Sequence, residues 1–218
     1  MAGSKPKDNT PDLGALPPAL QTLAARGVVR SYRKGTLLIE EGTSGDALYL
    51  LLAGRVKACS SDSRGREVVY GVYGPGEYFG EMSLDGGPRS ASVITLEATT
   101  CVMLTRQSLR EHIAEHPEFA FELIDRVIRR ARLATQSTRS MALLDVYGRL
   151  VQLLDALAVA QADGTRVIEE RLTHAELAAR VGCSREMVSR IMKDLATGGY
   201  LTAIAAGVRL ERLLPPRW

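Results

Sequence analysis

The segment Gly80–Ala91, GEMSLDGGPRSA, gathers residue types suited to holding an anion. Gly80 opens backbone conformations closed to other residues, a Gly-Gly pair makes a tight turn, and Arg89 is followed directly by Ser90. A guanidinium forks onto phosphate oxygens, and a neighbouring hydroxyl with exposed N–H groups completes a cradle. Glu81 adds an acceptor for a sugar hydroxyl. The same residues also suit a plainer arrangement, an Arg89–Glu81 ion pair that closes a loop. Residue types alone favour neither.

A second constellation lies at residues 172–195, LTHAELAARVGCSREMVSRIMKDL. Thr173 with Glu176 three positions on forms a capping box that starts a helix. Ala178, Gly182 and Val188 stand at the offsets of a helix-turn-helix. There a small residue permits a close crossing, glycine takes the left-handed turn, and a β-branched residue locks the two helices. Ser184 caps the second helix. On that helix Val188, Ile191 and Leu195 recur at i, i+3 and i+7, which turns Arg185, Glu186, Ser189, Arg190 and Lys193 outward. Arginine pairs bidentately with guanine O6 and N7, and a carboxylate accepts from cytosine N4, so this outer face suits reading DNA in the major groove. The plainer alternative is a solvated face with a Glu186–Arg190 ion pair at i, i+4.

Other motifs carry less. His112-Ile-Ala-Glu-His116 fits the spacing of a zinc hydrolase helix, but it abuts Pro117 and has no nearby third ligand. It reads as exposed polar residues of a helix, and a metal-dependent hydrolase stays a remote alternative. GPGEYFG lacks the spacing of a dinucleotide loop. Cys59, Cys101 and Cys183 are odd in number and far apart, which points to reduced thiols rather than a disulfide framework or a zinc site. Cys183, in the interhelical turn, reads as packing.

These constellations need elements to hold them. Residues 1–12 read as a flexible tail, and Pro17–Ala25 as a short helix with prolines at its start. From Val28 to Thr105, short β-favouring runs (VVRSY, TLLIE, ALYLLL, RVKACS, EVVYGVY, SVITL, CVML) alternate with glycine-rich turns. That texture predicts a sandwich or roll. Ser108–His116 reads as a short helix stopped at Pro117, followed by a helix to about Leu143. On it Ala120, Ile124, Val127, Ala131, Ala134, Thr138 and Met141 recur in steps of four and three, a heptad seam. A helix of roughly 26 residues, about 39 Å at ~1.5 Å per residue, with so narrow an apolar stripe is expected to pair with a second copy. From Leu144 to the C-terminus the pattern is helical, with a Gly-flanked hairpin, GGYLTAIAAGVRL, near its end.

Composition agrees with a folded chain. A length of 218 residues, 45% hydrophobic and 24% charged, suits one large or two small domains. Lys+Arg 28 against Asp+Glu 25 is compatible with a nucleic-acid partner but too nearly balanced to argue for one. The N-terminal residues contain no apolar core of a secretory signal, and no run of about 18 apolar residues occurs anywhere. The expectation is a cytoplasmic protein with no membrane partner.

Three segments in order, GPGEYFGEMSLDGGPRSA (74–91), ALLDVYGRL (142–150) and VGCSREMVSRIMKDL (181–195), resemble the Crp/Fnr family of transcription regulators, and the likeness runs from about Tyr32 to Leu210. The resemblance implies an α+β protein: an N-terminal β-roll (double-stranded jelly roll), a long dimerisation helix and a C-terminal winged helix-turn-helix. The expected divisions are a cyclic-nucleotide-binding roll at 13–116, the dimerisation helix at 117–143 and the DNA-binding domain at 144–218. The resemblance places Gly80 and Glu81 at the ribose and Arg89 and Ser90 at the cyclic phosphate, with Met82 and Ala91 beside them. It matches Arg185, Glu186 and Arg190 to base-reading positions, Ser189 to the same face, and Thr173 and Ser184 to phosphate contacts. A TGTGA-like palindrome follows from that match. Ala134 and Thr135 occupy the positions of a hydroxyl pair that meets adenine in the cAMP-binding members, so one hydroxyl is missing here. Only seven residues separate Glu81 from Arg89, at the short end of the family range. The implied effector is a cyclic nucleotide, cAMP first, with cGMP, cyclic di-GMP or no ligand as alternatives, and no metal. No cysteine precedes Cys59, so an iron–sulfur sensor is not expected. The implied partners are a second copy, double-stranded DNA and RNA polymerase. The protein is expected not to be an enzyme.

Overall fold

The computed structural model describes residues 16–215, and the tail expected at 1–12 lies outside them. The described residues form two compact units, one within 16–60 and 71–127 and the other within 61–70 and 128–215.

Eight strands pair in two four-stranded sheets. Four of them, β1 (Val28–Tyr32), β8 (Thr99–Leu104), β3 (Leu48–Ala53) and β6 (Tyr78–Phe79), pair in that order. The other four, β2 (Leu37–Ile39), β7 (Ser92–Thr95), β4 (Val56–Ser61) and β5 (Glu67–Tyr73), form a second sheet. Ile39, Val56, Ala58 and Val93 from the second sheet meet Leu51, Phe79 and Cys101 from the first, and this is the interior of the roll. The opposite face of the first sheet is covered by α1 (Pro18–Ala24), α2 (Arg106–Glu115) and the start of α3 (Glu118–Leu143). Leu20, Leu23, Leu109 and Phe119 there pack on Leu48, Leu50, Tyr78 and Val102. Because β3 is covered on both sides, it reads as an almost unbroken apolar run instead of alternating. The strand β6 was not visible in sequence: its two residues sit inside the turn-like GPGEYFG, yet Tyr78 and Phe79 are fully buried and register with Leu50 and Tyr49.

Helix α2 starts two residues earlier than the sequence implied, because Thr105 supplies the cap: its hydroxyl accepts from the Ser108 amide at 3.0 Å. His112 is not an exposed polar residue of this helix. It has no exposed surface, lies edge-on to Phe119 with ring centroids 5.1 Å apart, and faces the His116 ring at 4.8 Å. The inward face of α2 falls on His112 because α1 and α3 pack on that side, an arrangement that tertiary contacts set and residue polarity does not announce. Phe119 and the Arg126 guanidinium, 4.3 Å above the Tyr78 ring, hold the first turns of α3 to the sheet.

In the second unit α3 runs on as an unbroken helix to Leu143. Residues 131–139 are exposed all round. The apolar face of α3 is wider than the heptad seam: Phe121 is 71% exposed and Ile128 42%, beside the seam residues Ile124 and Val127. After the break at Leu144 and Asp145 come α4 (Val146–Leu157), α5 (His174–Val181) and α6 (Arg185–Thr197) around one core that includes Leu150, Leu154, Leu177, Val188, Ile191 and Leu195. The expected hairpin is present as β11 (Leu201–Ile204) and β12 (Gly207–Leu210). It does not stand alone. The unforeseen β10 (Arg166–Ile168) pairs with β12 and with β9 (Val159–Ala160), giving a sheet ordered β11-β12-β10-β9. The Asp163-Gly164 turn between β9 and β10, with Gly164 at φ 83°, is a hairpin signal that the surrounding helical pattern masked.

Candidate functional sites: an anion cradle and a helical reading face

The cradle is assembled at the end of β6. Phe79 is locked in the roll, and Gly80 then turns at φ 90°, a left-handed conformation. A Cβ at Gly80 would stand 2.8 Å from the Ala47 carbonyl oxygen and 2.9 Å from Arg89 Nη1, so space as well as dihedral demands glycine. Glu81–Ser83 follow as one 3-10 turn, fixed by the Ser83 hydroxyl donating to the Gly80 carbonyl at 3.1 Å. Glu81 is buried.

Arg89 returns to the same point. Its amide donates to the Thr43 carbonyl at 2.9 Å and its carbonyl accepts from the Gly42 amide at 2.8 Å, which pins its backbone to the 42–43 turn. Nη1 donates to the Gly80 carbonyl at 2.9 Å and Nη2 to the Ala47 carbonyl at 3.0 Å, and the side chain is buried. The Arg89 guanidinium thus reaches main-chain carbonyls of two separate segments. Two of the five guanidinium N–H groups are occupied by these carbonyls, which leaves donors for an incoming anion. Ser90 is exposed, and its hydroxyl lies 3.3 Å from the sulfur of Met82, itself 60% exposed. Gly80, Glu81, Met82, Arg89, Ser90 and Ala91 are thus gathered on one short stretch at the mouth of the second sheet's β7. Sequence reasoning missed the other half of the cradle. Gly42, Thr43 and Ala47 brace Arg89 through main-chain atoms, and Gly45 leaves its side chain room, since a Cβ there would lie 3.0 Å from Arg89 Nη2. The run EGTSGD at 41–46 was legible only as a turn because its contribution is backbone.

Ala134 and Thr135 lie on the exposed stretch of α3, and the Thr135 hydroxyl donates to the Ala131 carbonyl at 3.0 Å. That bond holds the hydroxyl against its own helix in the absence of another partner.

The reading face is built by two caps and one glycine. The Thr173 hydroxyl accepts from the Glu176 amide at 3.2 Å, while the Glu176 carboxylate accepts from the Thr173 amide at 2.7 Å: the predicted capping box. Gly182 ends α5 in the left-handed region at φ 66°, and the Ser184 hydroxyl accepts from the Met187 amide at 3.2 Å to open α6. Val188, Ile191 and Leu195 are buried, so Arg185, Glu186, Ser189 and Arg190 stand exposed on the other side. Thr173 and Ser184 mark two helix N-termini, where free amides favour a phosphate. Beside them the Arg171 guanidinium donates to the Ala205 carbonyl at 2.6 Å, holding the turn of the β11–β12 hairpin, a contact not anticipated from sequence.

The three cysteines are free thiols; burial pushes the Cys101 thiol up to about 12, so it stays protonated at neutral pH.

A β-roll holding a buried, main-chain-braced arginine, followed in the chain by a capped helix-turn-helix with a hairpin wing, is the architecture of a class of ligand-binding transcription regulator. Residues 29–116 match the cyclic nucleotide-binding domain family, and residues 148–213 match the Crp-like helix-turn-helix domain family. Over 192 residues the chain is 33% identical to the CRP-like cAMP-activated global transcriptional regulator of Mycobacterium tuberculosis, with 86% of each chain covered. Its fold is similar to the c-di-GMP responsive global regulator CLP of Xanthomonas campestris, at TM-score 0.76 and 26% identity over 88% of this chain and 97% of that one. It is also similar to the catabolite activator protein of Thermus thermophilus, at TM-score 0.53 and 31% identity over 91% and 92%. The chain belongs to the CRP/FNR family of transcription regulators, with a cyclic nucleotide-binding domain followed by a DNA-binding helix-turn-helix.

Proposed function

We propose that this protein is a cytoplasmic homodimer whose affinity for a palindromic TGTGA-like site is set by a cyclic nucleotide, most simply cAMP. The observation that carries the reading is Arg89, buried and braced by the Gly80 and Ala47 carbonyls with Ser90 beside it. A cation held this way is pre-positioned for a phosphate. In this reading residues 13–116 bind the effector, 117–143 pair two copies and 144–218 hold the DNA. Gly80 and Glu81 meet the ribose, Arg89 and Ser90 the cyclic phosphate, and Met82 and Ala91 line the site. The long helix adds Thr135 toward the base, with Ala134 offering no hydroxyl. Arg185, Glu186, Ser189 and Arg190 read bases, while Thr173 and Ser184 hold phosphates. The exposed apolar residues Phe121, Ile124, Val127, Ile128 and Met141 support pairing of α3 with a second copy. Two recognition helices on a two-fold axis would then stand about 34 Å apart, one turn of DNA. RNA polymerase is the further partner, and the protein is not an enzyme. No helix among the described residues is long and apolar enough to cross a membrane.

A second reading, cyclic di-GMP as effector, is favoured by the missing hydroxyl at Ala134 together with the fold shared with a c-di-GMP responsive regulator at 26% identity. Calorimetry of the purified protein with cAMP, cGMP and cyclic di-GMP, paired with titration of a TGTGA palindrome, separates them. Saturable cAMP binding that tightens DNA binding supports the first reading; a response to cyclic di-GMP alone replaces it. DNA binding indifferent to all three leaves a ligand-independent regulator.

A further inference from the structure

We infer that Arg149 is a positioning residue that keys the helix-turn-helix to the end of the long helix by clamping two main-chain carbonyls at once. The inference rests on the effector reading above and concerns how that signal reaches α6. Helix α3 ends at Leu143, and Asp145 starts α4 by accepting from the Gly148 amide at 2.7 Å. From the first turns of α4, Arg149 reaches back. Its Nη1 donates to the Leu144 carbonyl at 2.9 Å and its Nε to the Val181 carbonyl at 2.8 Å.

Both acceptors sit at helix carboxyl ends. Leu144 directly follows α3, and its amide still donates to the Ser140 carbonyl at 3.0 Å. Val181 is the last residue of α5. Carbonyls at such ends lack in-helix donors and carry partial negative charge, so one planar cation satisfies two of them. No carboxylate among the described residues pairs with Arg149, and its bonds go to the main chain. The acceptor at Val181 immediately precedes Gly182, whose left-handed turn sets the direction of α6. Two further links join the same parts. The Met141 methyl occupies the space a Cβ on Gly182 would need, and the Ser140 hydroxyl donates to Gln152 Oε1 at 2.9 Å. Met141 is also the last position of the heptad seam. A change in how the seam closes therefore acts directly on the turn that Arg149 holds, and the fork fixes that turn to the helix end. Lysine, a point charge without two spaced N–H groups in one plane, does not reproduce the fork.

The test uses the full-length protein with Arg149→Met and Arg149→Lys, measuring cAMP affinity by calorimetry and DNA affinity with and without saturating cAMP. cAMP affinity is expected to stay within about twofold of wild type in both, since the cradle is independent of this clamp. The ratio of DNA affinities with and without cAMP is expected to fall about tenfold or more in Arg149→Met, within the ~5–150-fold range of allosteric couplings, and to fall in Arg149→Lys as well. A full ratio in Arg149→Met overturns the inference; a full ratio in Arg149→Lys overturns the two-carbonyl fork. If neither variant folds, hydrogen exchange of wild type decides. The Cys183 amide, which donates to the Ala178 carbonyl, must change protection when cAMP binds, and unchanged protection there overturns the clamp. A wild-type ratio of one with all three nucleotides sinks the effector reading and the inference together, whereas a large wild-type ratio matched by Arg149→Met sinks the inference alone.

Discussion

Arg89 in the cradle is 7% exposed and donates to two main-chain carbonyls, whereas Arg185 and Arg190 on α6 stand in solvent on a helix whose opposite face is buried. In the proposed function the two regions would recognise anionic or polar partners by different means. An enclosed ligand gives up its water, so the cation that receives it must already be in place. A DNA groove is met by a surface, so precision falls on the backbone that carries the side chains: the Thr173 and Ser184 caps and the left-handed Gly182. In the roll the side chain is rigid because the loops hold it; in the helix-turn-helix the helix is rigid and its outward side chains are not.

Arg89→Leu breaks this contrast most severely. Truncating one partner of a buried charged contact costs about 2–5 kcal/mol of binding, so nucleotide affinity is expected to fall below detection in calorimetry. The structure adds a second consequence. The Gly80 and Ala47 carbonyls lose their donor, at about 1–3 kcal/mol each where they remain buried, so the melting temperature should drop too. An unchanged melt with lost binding would show that water reaches those carbonyls; unchanged binding would refute the cradle.

Arg190→Ala is a smaller and sharper test on the other side. As a base reader it should cost about 1–3 kcal/mol at one base position, with the melt unmoved because the side chain is exposed. Equal weakening on every sequence in a competition assay would make it a phosphate contact instead. Ser184→Ala should cost about 0.5–2 kcal/mol of stability through the lost cap at α6, read in chemical denaturation. A loss of DNA affinity beyond that would mark a phosphate contact at the same hydroxyl.

The same contrast explains what was legible in sequence. Helix-turn-helix signals are local: Thr173, Glu176, Gly182 and Ser184 act on neighbours within four residues, and each stands where its spacing put it. The long helix was readable to its last residue for the same reason, since heptad steps and Pro117 bound it. What escaped depends on contacts distant in sequence. The bracing of Arg89 comes from 42–47 through backbone atoms that leave no residue signature. The strand β6 is two residues inside a turn-like run, made a strand by β3. The β9–β10 ribbon needed β12 to define it. His112 looked like a polar helix residue because α1 and α3, which bury it, belong to other parts of the chain.

That histidine gives the mildest prediction, and it concerns the roll's outer layer, where neither side of the comparison predicts a role. Among the described residues His112 has both ring nitrogens buried without a hydrogen-bond partner, beside Phe119 and His116, with Arg26 just after α1 and Glu115 and Glu118 near by. Burial lowers its pKa below the ordinary histidine range, and the neighbouring His116 and Arg26 lower it further, outweighing Glu115 and Glu118. The folded protein therefore keeps the ring neutral at a pH where the unfolded chain already binds a proton. Stability is fully present above the unfolded histidine pKa of about 6.5 and is lost as pH falls below it toward the depressed folded value. The melting temperature of wild type should drop between pH 7.5 and pH 5.5, and the drop should shrink in His112→Leu, which removes the titrating ring and leaves an apolar side chain against Phe119. Arg26 ties Glu115 and Glu111 of α2 to the segment just after α1, so the layer that loosens would be α2 with its contacts, not the cradle. Equal drops in the two proteins would assign the acid sensitivity to other groups, and nucleotide affinity falling in step with the melt would mean that this layer supports the cradle after all.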